Sequence, residues 1–304
     1  MKKVAVERKK NVSPVEFVRD HLDGVGKPVV ITDAMDEWPA RTKWTFDFFR
    51  DAYGSDLGIA PLGLYGDVAK VTTLAAYIDH LDTLDALPGF WVNAKDRLPL
   101  QAPPEAPAAL PYPMEWPAFQ LHAELHDDIK PAPYFVADWT LALDTDLREL
   151  FQSTCGRSYL ALFLGPEGSL SKLHQDFWHT HAYLAQIQGR KRATLFSPED
   201  SEFLYRGQVD PEQPDFERFP LFERATAFEC VIGPDDVLFV PPDWWHHVRG
   251  LEKSITMSNN FFNETNFAEH MAAILRKLPA LVQSIENSPA LREALRIDWN
   301  LKFL

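Results

Sequence analysis

A mainly β fold with helices at either end is what the sequence predicts, and three observations predict it. From about Pro133 to Phe262 short apolar runs recur at close intervals, separated by glycine and proline turns. Ahead of that stretch strand-like and helix-like segments alternate, and after Phe262 the apolar spacing turns helical. Many short strands at this rhythm argue for an all-β barrel or sandwich core with an α/β part before it.

Taken in chain order, Ser13-Pro14 followed by Phe17, Val18 and His21-Leu22 reads as an N-cap, a proline at the first helical position and an apolar stripe. Lys27-Pro-Val-Val-Ile-Thr32 is a β-branched run and predicts a strand. Leu74, Tyr77, Ile78 and Leu81 predict a helix from Thr73 to Leu84. Seven prolines between Pro99 and Pro117 exclude regular helix or central strand there, and Trp116, Phe119 and Leu121 predict a loop packed over the domain. The core strands are expected at Tyr159–Leu164, Ala182–Ile187, Ala193–Phe196, Phe228–Ile232, Val237–Val240 and Ile255–Phe262. Tyr205 to Ala225 interrupts them and is expected as a loop at the barrel mouth. Phe267, Met271, Ile274, Leu275 and Leu278 then share a helical face, Ser288-Pro289 starts another helix, and the chain ends apolar.

A length of 304 residues allows one large domain or two ordinary ones, and 46% apolar content supports a sizeable core. The net charge of −14 argues against broad contact with nucleic-acid phosphates; it suits a basic protein or peptide, or solubility alone. Two cysteines, Cys155 and Cys230, are too few for a disulfide framework or a Cys-rich zinc site. Met1 to Lys10 is basic without an apolar run behind it, so no signal peptide is expected. No stretch of about 18 apolar residues suggests a membrane span, and a cytoplasmic protein is the expectation. Asn11-Val-Ser13 and Asn263-Glu-Thr265 match the glycosylation pattern and are read as chance.

Five of the ten histidines carry a carboxylate two residues on, so a His-x-Asp/Glu pair decides nothing by itself. Local geometry does. On a helix, residues i and i+2 point about 200° apart, whereas on a strand they share a face. That sets aside His21 and His80, which sit in helical patterns and read as helix-end or solvent-facing. His122 and His126 are spaced for one helical face but lack the glutamate that a zincin motif places directly after its first histidine. His174 and Asp176 lie between strand-like segments, and His246 after Pro241-Pro-Asp-Trp244-Trp245 is a candidate third ligand. Two histidines and a carboxylate form the facial triad of non-haem iron(II) sites. Spacing alone leaves a closed zinc site open, because His179, His181 or His247 could add a fourth ligand.

These stretches resemble the jumonji-C, cupin-like oxygenase family. Ser171-Lys-Leu-His174-Gln-Asp176 with Gln186-Ile-Gln-Gly189-Arg-Lys191 is similar to the family's first ligand pair and the strand after it. Gly233 through Trp244-Trp245-His246 is similar to the segment carrying the third ligand, and Ser258-Asn-Asn260-Phe261 to the closing strand. Lys27 to Asp33 and Glu37-Trp-Pro-Ala40 resemble its N-terminal region. The likeness to the family's protein lysyl and asparaginyl hydroxylases is carried by Gly-Arg-Lys191 and Trp-Trp-His246-His247.

The resemblance implies a double-stranded β-helix (jelly-roll, cupin) core within residues 1–262, with an α/β part to about 130. Residues 263–304 form the C-terminal helical segment. It implies iron(II), 2-oxoglutarate and O2, with His174, Asp176 and His246 as metal ligands. Lys191 then pairs with the distal carboxylate of 2-oxoglutarate, a desolvated charge that needs a fixed cation. Ser171, Tyr134, Thr180, Ser258 and Asn260 match cosubstrate-pocket positions. One departure stands out: the family often has an asparagine where Ala182 or Leu184 stands here, and Thr180 or an asparagine of the closing strand would have to compensate. His247 is expected on the opposite strand face, and Trp244 and Trp245 as packing. The implied reaction is hydroxylation of a C–H bond with release of succinate and CO2, on a protein or peptide side chain. The same chemistry on a small molecule or free amino acid, and a non-catalytic metal-binding scaffold, are the alternatives. The apolar C-terminal helices are expected to form a homodimer.

Overall fold

Both sheets of the protein begin in its first nine residues. In the computed structural model, which describes residues 1–61, 68–93, 113–132, 135, 138–142 and 159–276, strands β1 (Lys2–Ala5) and β2 (Glu7–Lys9) open the chain. Helix α1 (Pro14–Phe17) starts as expected: the Ser13 hydroxyl accepts the Glu16 N–H at 3.2 Å and Pro14 presets φ. It widens into a π turn over Val18–Leu22, and β3 (Val29–Ile31) follows, buried on both faces. Helices α2 (Ala40–Lys43) and α3 (Phe46–Tyr53) lead to strands β4 (Leu57–Pro61) and β5 (Val68–Thr73).

The Thr73 hydroxyl caps α4 (Leu74–Asp79) by accepting the Ala76 N–H. That helix covers the first half of the expected Thr73–Leu84 element; beyond it only Leu84–Ala86 forms a 3-10 turn. Strand β6 (Phe90–Asn93) completes this part.

The proline-rich stretch requires a correction. Strand β7 (Met114–Trp116) is a central strand, fitted between Pro113 and Pro117 where no residue lacks its N–H. It pairs with β4 through Ile59 and with strand β8 (Leu160–Gly165) through Met114 to Trp116. Trp116 and Phe119 are buried, but Leu121, at the end of α5 (Ala118–Leu121), is 53% exposed.

The remaining strands are β9 (Leu170–His174), β10 (His181–Gln188), β11 (Lys191–Phe196), β12 (Thr226–Ile232), β13 (Val237–Val240), β14 (Trp245–Gly250) and β15 (Ser254–Phe261). They form two sheets rather than a closed barrel: β1-β12-β11-β14-β9 and β2-β3-β13-β10-β15-β8-β7-β4-β5-β6. The fold is a jelly-roll of the cupin type with fewer helices than strands.

Strand alternation sorts the side chains into layers. Ala193, Leu195, Ile232 and Val248 of the smaller sheet meet Val30, Ala182, Leu238 and Val240 of the larger one. The outer face of the larger sheet buries Phe135, Tyr183, Phe239 and Phe261 against Phe17, with Phe135 stacked on Tyr183 at 4.4 Å. Each such aromatic, fully buried, stabilises the fold by roughly 1.5–3 kcal/mol.

The 205–225 segment does not stand at a barrel mouth. Leu204, Val209, Phe219 and Phe222 close over Leu173, Phe196 and Ala227 on the outer face of the smaller sheet. Their apolar side chains have somewhere dry to go, which a mouth loop would deny them. His21 lies near the end of the π turn as expected but is 1% exposed, its Nδ1 against the Lys27 carbonyl, so it does not face solvent.

Residues 267–276 are helical, yet the expected apolar face is split. Phe267 and Leu275 are exposed while His270 and Ile274 are buried, because the helix turns its Asn266–His270–Ile274 row inward. Leu278, the helix expected from Ser288 and the apolar ending lie outside the described residues, and with them the dimerisation they were expected to mediate. Asn263 is buried and accepts the Thr265 N–H and hydroxyl, which leaves its amide no room for a glycan. No helix among the described residues is long and apolar enough to cross a membrane.

Candidate metal centre

The two sheets leave a cavity between them, and the expected ligands meet in it. Strand β9 is out of step with β14: His174 pairs with His246, but Ser171 pairs with Val248. That bulge turns two residues three apart toward the same side, so Ser171 and His174 both line the cavity. Asp176 follows in extended backbone (φ −67°, ψ 163°) and joins them. His246 stands on the inward face of β14, beside Leu195 and in line with Val248.

His174 Nε2 lies 3.9 Å and His246 Nε2 3.7 Å from Asp176 Oδ1, and the two imidazole centroids are 4.1 Å apart. Two ligand atoms about 2.1 Å from one ion at right or tetrahedral angles sit roughly 3.0–3.4 Å apart. The triad thus needs about 0.3–0.9 Å of contraction at each carboxylate contact to close on a divalent ion.

Each ring is already aimed. His174 Nδ1 lies 2.6 Å from the Lys172 carbonyl and His246 Nδ1 3.1 Å from that of Trp244. Donation of Nδ1–H to those carbonyls leaves both Nε2 lone pairs toward the carboxylate. The carboxylate is aimed in turn: Asn260 donates to Asp176 Oδ2 at 3.0 Å, which leaves Oδ1 to the imidazoles.

Among the described residues no further His, Cys, Asp or Glu joins this group. His179 Nδ1 is engaged by Asp243 at 2.7 Å, and His181 Nε2 by Thr265 at 2.9 Å. His247, paired with Thr194 on the outer face, points away as expected. The site is therefore open, with His174 and Asp176 half-buried and His246 buried. Two nitrogens, one oxygen and vacant positions suit a transition metal that must also take a ligand, rather than a closed zinc knot.

Asp210, Glu212 and His247 form a second group on the outer face. Its Glu212 is already paired, because Arg249 grips that carboxylate through Nε and its terminal nitrogen.

Lys191 opens β11 two residues after Gly189, which holds φ +73° at the turn. Its side chain lines the same cavity, 4% exposed, with no hydrogen bond or ion pair to its ammonium among the described residues. Burial pushes it from the ordinary 10.5 down to about 7. A buried cation without a protein counter-charge is costly, and a carboxylate brought in by a ligand would relieve it.

Ser258 and Asn260 line the cavity from β15, and Leu184 faces them across the ladder. Thr180 is buried behind Asn260, accepting its Nδ2–H at 3.0 Å and donating to the Phe177 carbonyl. It steadies Asn260 rather than lining the pocket, a correction to its expected direct role. The vacancy at Ala182 is met from the opposite strand, since Ala182 pairs with Asn260. Tyr134 lies outside the described residues. Trp244 packs with its indole N–H on the Val25 carbonyl, and Trp245 with its own on Ser201.

Two features escaped the sequence reading. Glu115 lines the cavity from β7, hidden by the prolines around it. Asn260 serves the candidate metal ligand Asp176 itself, and no spacing rule links positions 84 residues apart.

With this geometry in place, comparison with known proteins is informative. Residues 115–268 match the model of the cupin-like domain. The chain is 32% identical over 257 residues to lysine-specific demethylase 8 of Danio rerio, covering 80% of this chain and 54% of that protein. It is 27% identical to lysine-specific demethylase JMJ30 of Arabidopsis thaliana, covering 85% and 55%. Over 141 residues it is 35% identical to HSPB1-associated protein 1 of Homo sapiens, covering 41% and 28%. The chain spans about half the length of the first two of these relatives.

Proposed function

The chain belongs to the jumonji-type, cupin-like domain family, and from that premise we propose that it is an iron(II)- and 2-oxoglutarate-dependent oxygenase. It hydroxylates a C–H bond of a protein or peptide side chain, with release of succinate and CO2. The observation that carries this reading is the shared cavity: an open His174–Asp176–His246 triad and the uncompensated ammonium of Lys191 line one space.

Iron(II), held by these three residues, supplies the dioxygen chemistry that couples oxidative decarboxylation of 2-oxoglutarate to hydroxylation. The protein's part follows from its own groups. Lys191 pairs with the distal carboxylate and fixes the length of cosubstrate that fits, with the Ser171 and Ser258 hydroxyls lining the same cavity. Asn260 holds Asp176 by Oδ2 so that a single carboxylate oxygen faces the ion. Ala161, Phe163, Phe177, Leu184 and Val248 belong to the apolar part of the cavity wall and keep water from the reacting carbon.

A side-chain substrate is favoured by the net charge of −14, by the Glu115 carboxylate on the cavity wall and by relatives named as lysine-specific demethylases. The test is incubation of the full chain with iron(II), 2-oxoglutarate, ascorbate and a library of lysine- and arginine-containing peptides, methylated and not. Mass spectrometry should find gain of one oxygen atom or loss of a methyl group on a basic residue. Iron-dependent 2-oxoglutarate turnover with only a small molecule modified would overturn the peptide assignment.

A further inference from the structure

Directly after Asp176 the backbone does something L-residues avoid. Trp178 (φ 55°, ψ 35°) and His179 (φ 56°) are consecutive non-glycine residues in the left-handed region. Histidine visits this region more readily than most, but the bulky Trp178 does not, so the surroundings must hold the turn. The holders lie almost ninety residues later.

His270 places Nδ1 2.6 Å from the Trp178 carbonyl, and Asn266 donates from Nδ2 to the His179 carbonyl at 2.7 Å. Both side chains are buried, 0% and 1% exposed. His270 is set for this by Tyr159, whose hydroxyl lies 3.3 Å from Nε2, and burial keeps the ring neutral by pushing its pKa down. Asn266 is set by its own Oδ1, which accepts the Asn263 N–H at 2.9 Å. A third tie, His181 Nε2 to the Thr265 hydroxyl, pins the far side of the turn.

We propose that Asn266 and His270 are positioning residues for Asp176: by clamping two carbonyls they hold the left-handed turn that aims its carboxylate at the metal. This rests on the reading of Asp176 as a metal ligand. On this proposal the 267–276 helix and Asn266 just before it support the metal centre, although neither Asn266 nor His270 touches it. The clamp and Asn260 act on Asp176 from different sides, one through backbone and one through Oδ2.

The probe is cobalt(II) binding to the full chain, read by titration calorimetry and visible absorbance. Asn266→Asp keeps the acceptor for the Asn263 N–H but removes the donor to His179. His270→Leu removes the other donor, and His270→Asn restores an N–H near Nδ1. Asn266→Asp and His270→Leu should weaken cobalt binding about tenfold, equal to about 1.4 kcal/mol. His270→Asn should stay within about threefold. Trp178→Gly, which makes the left-handed backbone inexpensive, should recover most of the loss when combined with Asn266→Asp.

Wild-type cobalt affinity retained in a folded Asn266→Asp protein would overturn the proposal, as would a loss that Trp178→Gly does not relieve. If His270→Leu fails to fold, the Asn266 variants carry the test alone. Wild-type protein that binds no cobalt would sink the metal reading itself, which keeps the two failures apart.

Discussion

Replacing Lys191 by methionine sets stability against function, with a magnitude that follows from the lysine's surroundings. The side chain is 4% exposed, and burial alone takes its pKa from 10.5 to about 7. That drop corresponds to a penalty on the order of 4 kcal/mol on the folded, ligand-free protein at pH 7. Methionine has similar length and no charge, so Lys191→Met should stabilise the ligand-free protein by about 1–4 kcal/mol. The melting temperature should rise by about 2 °C for each kcal/mol. The sign with pH is also fixed. Between pH 7 and 10.5 the unfolded chain keeps a proton that folded Lys191 has released, so wild-type stability climbs across that window. In the variant this increment disappears.

The same substitution should cripple the cosubstrate site. Truncating one partner of a buried charge pair costs about 2–5 kcal/mol, so 2-oxoglutarate affinity should fall about 30-fold or more. Calorimetric titration of 2-oxoglutarate into manganese(II)-loaded protein reads the binding, and thermal unfolding from about pH 7 to about pH 10 reads the stability. A variant less stable than wild type that still binds 2-oxoglutarate within threefold would refute the reasoning.

Three further outcomes follow from the same geometry. Asn260→Leu removes the bonds to Asp176 Oδ2 and Thr180 Oγ1 and should weaken metal binding about 10- to 100-fold with the fold intact, by cobalt titration and circular dichroism. Gly189→Ala places a Cβ against the Lys253 carbonyl oxygen at a φ of +73°. It should cost at least about 2 kcal/mol in denaturant unfolding and raise the Michaelis constant for 2-oxoglutarate by displacing Lys191. Chelation should abolish 2-oxoglutarate turnover and added iron(II) restore it, whereas zinc should occupy the triad without supporting oxidation; recovery with zinc would contradict the assignment of a redox metal.

What could be read from the sequence follows burial. Val237–Val240 is apolar throughout because both its faces are covered, and the run alone marks the strand. Lys2–Ala5 gives no such signal. It is an edge strand with charged, exposed positions, and it exists because the Thr226–Glu229 edge offers unpaired backbone. The triad could be picked out because strand alternation and the Gly-Arg-Lys191 turn distinguish His174 from four look-alikes. Its supports could not. Asn260, Asn266 and His270 act across the fold, where separation in sequence carries no periodicity. The bulge that turns Ser171 and His174 to one side depends on how β14 pairs, not on any local residue. Likewise the 205–225 segment looks polar enough for a loop, and only the sheet face beneath it explains Val209, Phe219 and Phe222.

On the proposed reading, one cavity joins an open metal triad to a 2-oxoglutarate-binding lysine. Succinate release from 2-oxoglutarate by purified protein, with iron(II) and air, tests it most directly. Wild type should form succinate in an iron-dependent manner, and His174→Ala, His246→Ala and Lys191→Met should each fall to the level of protein-free iron. Turnover retained in His174→Ala, or absent from iron-loaded wild type across the peptide library, would contradict the account.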